Sequence, residues 1–397
     1  NHPREFFGAP HELAVVDPNN QYVRLKHLLC AARELPLAPV ELARMSDEER
    51  ELIQELRSLE LLAPVEAEAA PTSGGAKTGA PSEPGSLTYP KTCRDIHLRI
   101  SLRAASHETY KIIDEEQNEI GAIEPPNVYR EAHPGAIYQH AGDDYRVIFL
   151  DRHQKLVKVR KEQAPHYTRA SSNSRIKIER VHETRELQLG GLTYTINLGD
   201  ALVEETIHSY QELRLGSDEL VKRVNLTMPL TLRLHTTAMW VAIPPDIERD
   251  VIAAVPPAQE IKAAEGDPNR SSFAEGLHAV QHLLTGVMPL LVMCDRRDID
   301  GHFQPNHPDV GAAAVFVYDA YEGGIGLAEI AYERAEELLR LAHDTVTRCG
   351  CHSGCPSCVQ SGACRMHNEL LNKAAARMIL AKLTMQTTLT SPPVPLH

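Results

Sequence analysis

The sequence predicts an α+β protein in three parts: a small helical, winged-helix-like module, a β-rich barrel-like region, and a C-terminal α/β domain holding a metal-binding cysteine segment. Three observations predict it. Apolar residues recur at helical spacing in the first sixty residues, short alternating segments fill 91–245, and five of the eight cysteines crowd into 349–364. A chain of 397 residues has room for two or three such domains at about 150 residues each.

The expected boundaries are 1–62, 63–90, 91–245 and 246–397. In the first part, Tyr22, Leu25, Leu28, Leu29 and Ala32 form one apolar stripe. Ser46 with Glu49 three residues on is a capping box opening a second helix that carries Leu52, Ile53, Leu56 and Leu59. The stretch "APVEAEAAPTSGGAKTGAPSEPGS" has almost no large apolar side chain and reads as a flexible linker. Its "GGAKT" lacks the spacing of a phosphate loop and has no preceding strand.

The segments "RDIHLRI", "TYKIID", "YRVIFLD", "KLVKVRK", "RIKIERV", "LTYTINL" and "LTLRLHT" alternate or are β-branched, and predict short strands in a small barrel or strongly bent sheet. "HAGDDY" and "LGG" punctuate hairpins. Beyond 246, "SFAEGLHAVQHLLTGVMPLLVM" is a helix with Phe273, Leu277, Val280, Leu284, Val287 and Leu291 on one face. "AAAVFVYDA" is a buried strand, "GLAEIAYERAEELLRLAHD" one long amphipathic helix, and "HNELLNKAAARMILAKL" a last helix.

Charge narrows the function. The net charge of −13 excludes a uniformly basic nucleic-acid coat, but its distribution is uneven. Residues 146–185 hold 11 basic and 4 acidic groups, whereas 246–345 hold 7 and 18. The basic strand-rich stretch is a candidate phosphate-contacting face, carried by Lys155, Lys158, Arg160, Lys161, Arg169, Arg175, Lys177 and Arg180. A solvated sheet surface is the other reading. No run of about 18 apolar residues spans a bilayer, and no signal peptide is visible at the first residues. The chain starts with Asn rather than Met, which reads as a piece cut from something longer.

"CGCHSGCPSCVQSGAC" is the strongest motif. Cysteines spread as staples would suggest disulfides; clustered ones suggest a metal. Cys355-x-x-Cys358 is a knuckle spacing, with Gly354 and Pro356 suited to a tight turn, and Cys349 and Cys351 complete four thiolates for a structural zinc. Cys364 is a fifth candidate and His352 a weak one. An iron–sulfur cluster would use the same ligands. Reduced cysteines point to the cytoplasm. Elsewhere, Gly323, Gly324 and Gly326 lead from a strand into a helix whose free amides suit either an anion or merely a tight turn. Asp295, Asp298, Asp300, Asp319 and Glu322 form an acidic set that reads as a polar loop or a magnesium site. His278 and His282 have zincin spacing, but Ala279 stands where the general-base Glu is needed, so they read as core histidines. No Walker A motif and no hydrolase elbow occurs, so this chain alone is not expected to hydrolyse ATP.

"HPREFFGAPHELAVVDPNNQYVRLKHLLCAARELPL" resembles the segment after the second motor domain of bacterial superfamily II helicases of the mitomycin-repair type, a clade that includes the RecQ4-like Hrq helicases. "HPGAIYQHAGDDYRVIFLD" with "HYTRA" resembles that group's β-rich region, and "EGLHAVQHLL", "CDRRDIDG", "YEGGIGLAE" and "CGCHSGCPSCV" its zinc-binding domain. The resemblance implies the DNA-engaging part of an ATP-dependent 3′–5′ helicase used in DNA repair. Its partners would be single-stranded or forked DNA and RecA-like motor domains in cis or in trans. ATP and magnesium would enter only through those motors. It places zinc on Cys349, Cys351, Cys355 and Cys358 and carries over no catalytic residue. Two alternatives stay open: a non-enzymatic scaffold subunit of a phage-defence complex that partners a separate helicase, and a thiol redox sensor using the fifth cysteine.

Overall fold

The computed structural model describes residues 20–65, 85–90, 96–99, 109–123, 127–189, 192–258 and 271–384. They divide into two compact units, Asp17–His107 and a larger one made chiefly of Glu108–His397.

In the small unit, helix α1 (Gln21–Glu34) starts where the Asn20 side chain accepts the Val23 N–H at 3.0 Å. Helix α2 (Pro39–Arg44) follows, and then α3 (Asp47–Ser58) with its capping box: the Glu49 N–H donates to Ser46 Oγ and the Ser46 N–H to Glu49 Oε2. Leu29, Ala32, Ile53 and Leu56 form the core. Leu59 lies just past the end of α3 and is exposed. Strands β1 (Ala63–Pro64) and β2 (Leu87–Thr88) pair antiparallel, and Leu87 and Tyr89 are buried in the same core. Both ends of the stretch expected as linker are therefore ordered, because its end carries apolar side chains with a core to enter. Residues 66–84, with "GGAKT", lie outside the described residues.

Among its described residues the larger unit holds two five-stranded sheets. The first is ordered β4 (Glu119–Ile123), β3 (Tyr110–Ile113), β7 (Leu156–Lys161), β6 (Asp143–Asp151), β5 (Ile137–His140). Only β3 and β7 run parallel. Ala141 and Gly142, both at positive φ, close the two-residue hairpin that "HAGDDY" predicts. A Cβ on Gly121 of β4 would meet the His140 ring of β5 at 3.2 Å, so the two edge strands approach and the sheet curls. Its interior takes Ile112, Val147, Val157 and Val159, covered by Val128 of helix α4 (Asn127–Glu131).

The second sheet is antiparallel throughout, ordered β11 (Ile299–His307), β12 (Ala312–Asp319), β10 (Leu220–Ile243), β9 (Leu192–Arg214), β8 (His166–Leu189). The sequence expectation of separate short strands fails here, since β8, β9 and β10 run 24, 23 and 24 residues. The strands continue well past the short segments that the sequence marks, and bulges absorb the slips; Pro229, which has no N–H to donate, falls within the one between Asn225 and Leu230. Gly199 lets β8 and β9 close, because a Cβ there would lie 2.0 Å from the Arg180 carbonyl oxygen. Leu189 pairs with Leu192 across Gly190 and Gly191, which lie outside the described residues.

Because β10 pairs with β12, this sheet crosses residue 245, where the sequence reading placed a domain boundary. The far ends of the long strands form the floor on which the C-terminal helices pack: α5 (Pro245–Ala254), α6 (Ser272–Val287), α7 (Leu327–Glu333), α8 (Ala335–Arg348) and α9 (Lys373–Thr384). With antiparallel strands, this part is α+β rather than α/β. Helix α6 is buried on nearly every side, not on one face. The single long helix expected after Gly326 breaks at Arg334, whose guanidinium donates to the Leu291 carbonyl and to Glu337. The last helix starts only at Lys373, because His367, Asn368 and Leu370 take positive φ. No helix among the described residues is long and apolar enough to cross a membrane.

Candidate metal centre and nucleic-acid face

Helix α8 delivers the cysteine segment to the core. Its last residue is Arg348, and Cys349 turns into extended backbone while its N–H still reaches the Thr345 carbonyl. Gly354 takes φ +126° and packs so closely that a Cβ would strike Val359 at 2.5 Å. The chain then turns, with the Cys358 N–H on the Cys355 carbonyl and the Cys355 N–H on Cys358 Sγ. Four sulfurs gather. Cys349 lies 3.5 Å from Cys351 and from Cys355, Cys351 is 3.5 Å from Cys358, and Cys355 is 3.8 Å from Cys358. A regular tetrahedron with Zn–S of about 2.3 Å has edges of about 3.8 Å, so the donor set fits one zinc ion by size as well as by softness.

A residue not singled out in the sequence completes the surroundings. From the first turn of α9, Lys373 Nζ donates to the carbonyls of Cys349 and Cys351, at 2.6 and 2.7 Å, and reaches Cys351 Sγ at 3.3 Å. Burial works to raise the Cys351 thiol, but hydrogen bonds from Cys358, Lys373 and the other two thiols pull it down to about 6. A cation beside a thiolate cluster stabilises its negative charge. His352 is exposed and stands outside the group. Cys364, the fifth sequence candidate, also stands apart: its sulfur lies 3.3 Å from His278 Nε2.

The glycine turn after β12 holds no room for a foreign anion, because the protein supplies its own. Asp319 is fully buried, and its carboxylate accepts the N–H groups of Ile325, Gly326, Leu327 and Ala328 at 2.5 to 3.2 Å. Burial pushes its pKa up to about 6 against those four hydrogen bonds, which lower it. The other acidic residues are also engaged. Asp298 accepts from the Asp295 N–H and the Tyr321 hydroxyl, and Asp300 pairs with Arg365. Metal-sized groupings among the described residues are two, the four thiols and His278 with His282 and Cys364, and neither includes an aspartate.

The eight basic candidates divide between two sheets. Lys158, Arg160 and Lys161 lie on β7, with Lys155 in the turn before it; Arg169, Arg175, Lys177 and Arg180 lie on β8. On β7 alternation sends Lys158 and Arg160 outward and Val157 and Val159 inward, with Lys161 exposed at the strand's end; on β8 Arg175 and Lys177 point outward on either side of the buried Ile176. Lys158, Arg175, Lys177 and Arg180 are exposed. Arg160 pairs with Glu115, Lys161 with Asp143, and Arg169 stacks over Tyr167. Solvent-exposed pairs of this kind are screened by water and yield readily to a phosphate.

Residues 280–359, which include all four gathered cysteines, match the family model described as the MrfA Zn-binding domain. An ATP-dependent helicase of Bacillus subtilis, YprA, of uncharacterized function, is 30% identical over 90% of this chain and 43% of its own length. An uncharacterized protein of Methanocaldococcus jannaschii, MJ1572.1, is 39% identical over 27% of this chain and 98% of its own length. Among solved structures, the DUF1998 helicase MrfA bound to DNA superposes with a TM-score of 0.52 and 26% identity, over 96% of this chain and 45% of that one. The chain thus spans less than half the length of the helicases it matches. It belongs to the MrfA/Hrq-like helicase family, matching the part of those proteins that carries the zinc-binding domain.

Proposed function

We propose that this chain is the C-terminal, DNA-engaging portion of an ATP-dependent 3′–5′ DNA helicase acting in DNA repair, with zinc held by Cys349, Cys351, Cys355 and Cys358. The observation that carries the reading is the four-sulfur cluster at tetrahedral spacing inside a segment that matches a helicase family's zinc-binding domain. Four thiolates leave no position for water, so zinc here supplies folding free energy rather than chemistry. The chain's own residues do the rest. Lys373 ties the knuckle to α9, and the Val359 carbonyl beside it ties it to α6. RecA-like motors, in the same polypeptide or a separate one, would bind ATP and magnesium. The small unit, whose described residues form three α-helices beside a two-stranded sheet, would serve as a winged-helix-like module in the same assembly.

The exposed cations of β7 and β8 would hold single-stranded or forked DNA by its phosphates, which is sequence-independent and salt-sensitive. A relative in this family has been crystallised with DNA. The cluster of free thiols suits the reducing cytoplasm. Fluorescence anisotropy with a labelled single strand tests the reading. Four phosphate contacts predict a slope of log K against log salt of about −3, a loss of roughly 50-fold between 50 and 200 mM. Affinity that stays flat over that range refutes the DNA role. A stable complex with a separate helicase and no DNA binding would favour the scaffold reading instead.

A further inference from the structure

We propose that His278, His282 and Cys364 form a second metal site, separate from the four-thiol knuckle, for a zinc-type divalent ion held by two imidazoles and one thiolate. The two histidines lie four apart on α6 and so share a helix face. Their rings stand edge to face with centroids 4.5 Å apart. Both are buried, at 2% and 4% exposure. One ligand atom from each of the three residues lies within 4.8 Å of the others.

The tautomers follow from the hydrogen bonds. His278 Nδ1 faces the Leu370 carbonyl at 3.1 Å, and His282 Nδ1 faces the Val359 carbonyl at 2.6 Å. A carbonyl only accepts, so each Nδ1 carries the hydrogen and each Nε2 keeps its lone pair. Metal-binding histidines are oriented in this way, by a carbonyl on the far nitrogen. The His278 lone pair is aimed at Cys364 Sγ, 3.3 Å away. Burial, followed by the neighbouring His282, lowers the His278 pKa to about 3, which keeps the ring a neutral ligand at physiological pH. Phe303, stacked on His278 with centroids 4.9 Å apart, gives the site an apolar wall.

Two imidazoles and a thiolate suit zinc among common divalent ions, and three protein ligands leave a fourth position open. On binding, the Cys364 S–H bond breaks, a sulfur–metal bond forms, and the proton passes to solvent. The site would pin the irregular segment 361–372 to α6. Val359 follows Cys358 of the knuckle directly, so one stretch of backbone orients both centres.

The test is metal stoichiometry on the full chain, saturated with zinc and desalted, with elemental analysis of wild type, Cys364→Ala and His278→Ala. About two zinc ions per chain in wild type and one in each variant, with the circular dichroism spectrum retained, supports the site. One per chain in wild type, or two that persist in both variants, overturns it and leaves Cys364 and His278 as a simple hydrogen-bonded pair. Should a variant fail to fold, cobalt substitution of the wild type decides. Titration must then show two saturable phases, one with the intense charge-transfer absorption of four thiolates and one with the weaker absorption of a single thiolate. A single phase overturns the proposal. Loss of the knuckle itself would show separately, as a missing four-thiolate phase.

Discussion

Glu205 is the junction between the curled sheet and the long-stranded sheet, and replacing it tests how the larger unit is held together. Its side chain is 5% exposed and lies on β9. Its carboxylate accepts from Arg130 through Nε, at 3.1 and 3.2 Å, and through the terminal nitrogen, and from Ser172 Oγ at 2.7 Å. Arg365 Nε approaches at 3.4 Å. Burial raises the Glu205 pKa, but Arg365 and Arg130 outweigh it and hold the group ionised below its ordinary range. Glu205→Gln keeps the shape and removes the charge. Breaking a buried pair costs about 3–5 kcal/mol. The loss belongs at the lower end, because Arg365 keeps Asp300 and the Tyr318 hydroxyl, and Arg130 reaches water. About 3 kcal/mol, or two decades in the folding equilibrium, is expected. Urea unfolding followed by fluorescence reports it cleanly, since the sole tryptophan, Trp240, is buried on β10 against Phe316. A Glu205→Gln midpoint within about 0.5 kcal/mol of wild type would refute the claim that this charge network is a structural joint.

Other outcomes follow from the same geometry. Asp319→Ala leaves four amide N–H groups at the start of α7, three of them buried, without their acceptor and should destabilise the unit by at least about 4 kcal/mol, read as a fall in thermal midpoint. Burial, with Arg365 and His307 nearby, lowers His302 from its ordinary value to about 4. The unfolded chain therefore binds this proton first, and the stability held above pH 6.5 is lost as pH falls towards 4. At pH 5 the loss is about 2 kcal/mol, measured by urea titrations at both pH values, and His302→Gln should remove that share of the pH dependence. Lys177→Glu with Arg180→Glu should flatten the salt slope of single-strand binding by about one unit or more without moving the thermal midpoint.

The sequence carried the local chemistry well. The Ser46 capping box, the "HAGDDY" hairpin and the gathering of Cys349, Cys351, Cys355 and Cys358 all depend on residues within a few positions of each other, where spacing determines geometry. It carried long-range pairing poorly. Alternation in 166–243 shows strand but not where a strand stops, so three strands of over twenty residues looked like three short ones. Nor could it show that β10 crosses residue 245 to pair with β12, because register across 70 residues leaves no local trace. The roles of Asp319, Arg365 and Lys373 were equally hidden. Each is an ordinary charged residue in sequence, and its partners lie on other elements or along the turn that follows. Cys364 misled by proximity: it clusters with the knuckle in sequence, yet in space it faces His278.

What Cys349, Cys351, Cys355 and Cys358 hold decides whether this is a structural zinc centre. Zinc K-edge X-ray absorption on the Cys364→Ala chain isolates that centre from the second site. Four sulfur neighbours at about 2.3 Å are expected. A shell of nitrogen and oxygen neighbours near 2.0 Å, or no zinc with four titratable free thiols, would contradict it.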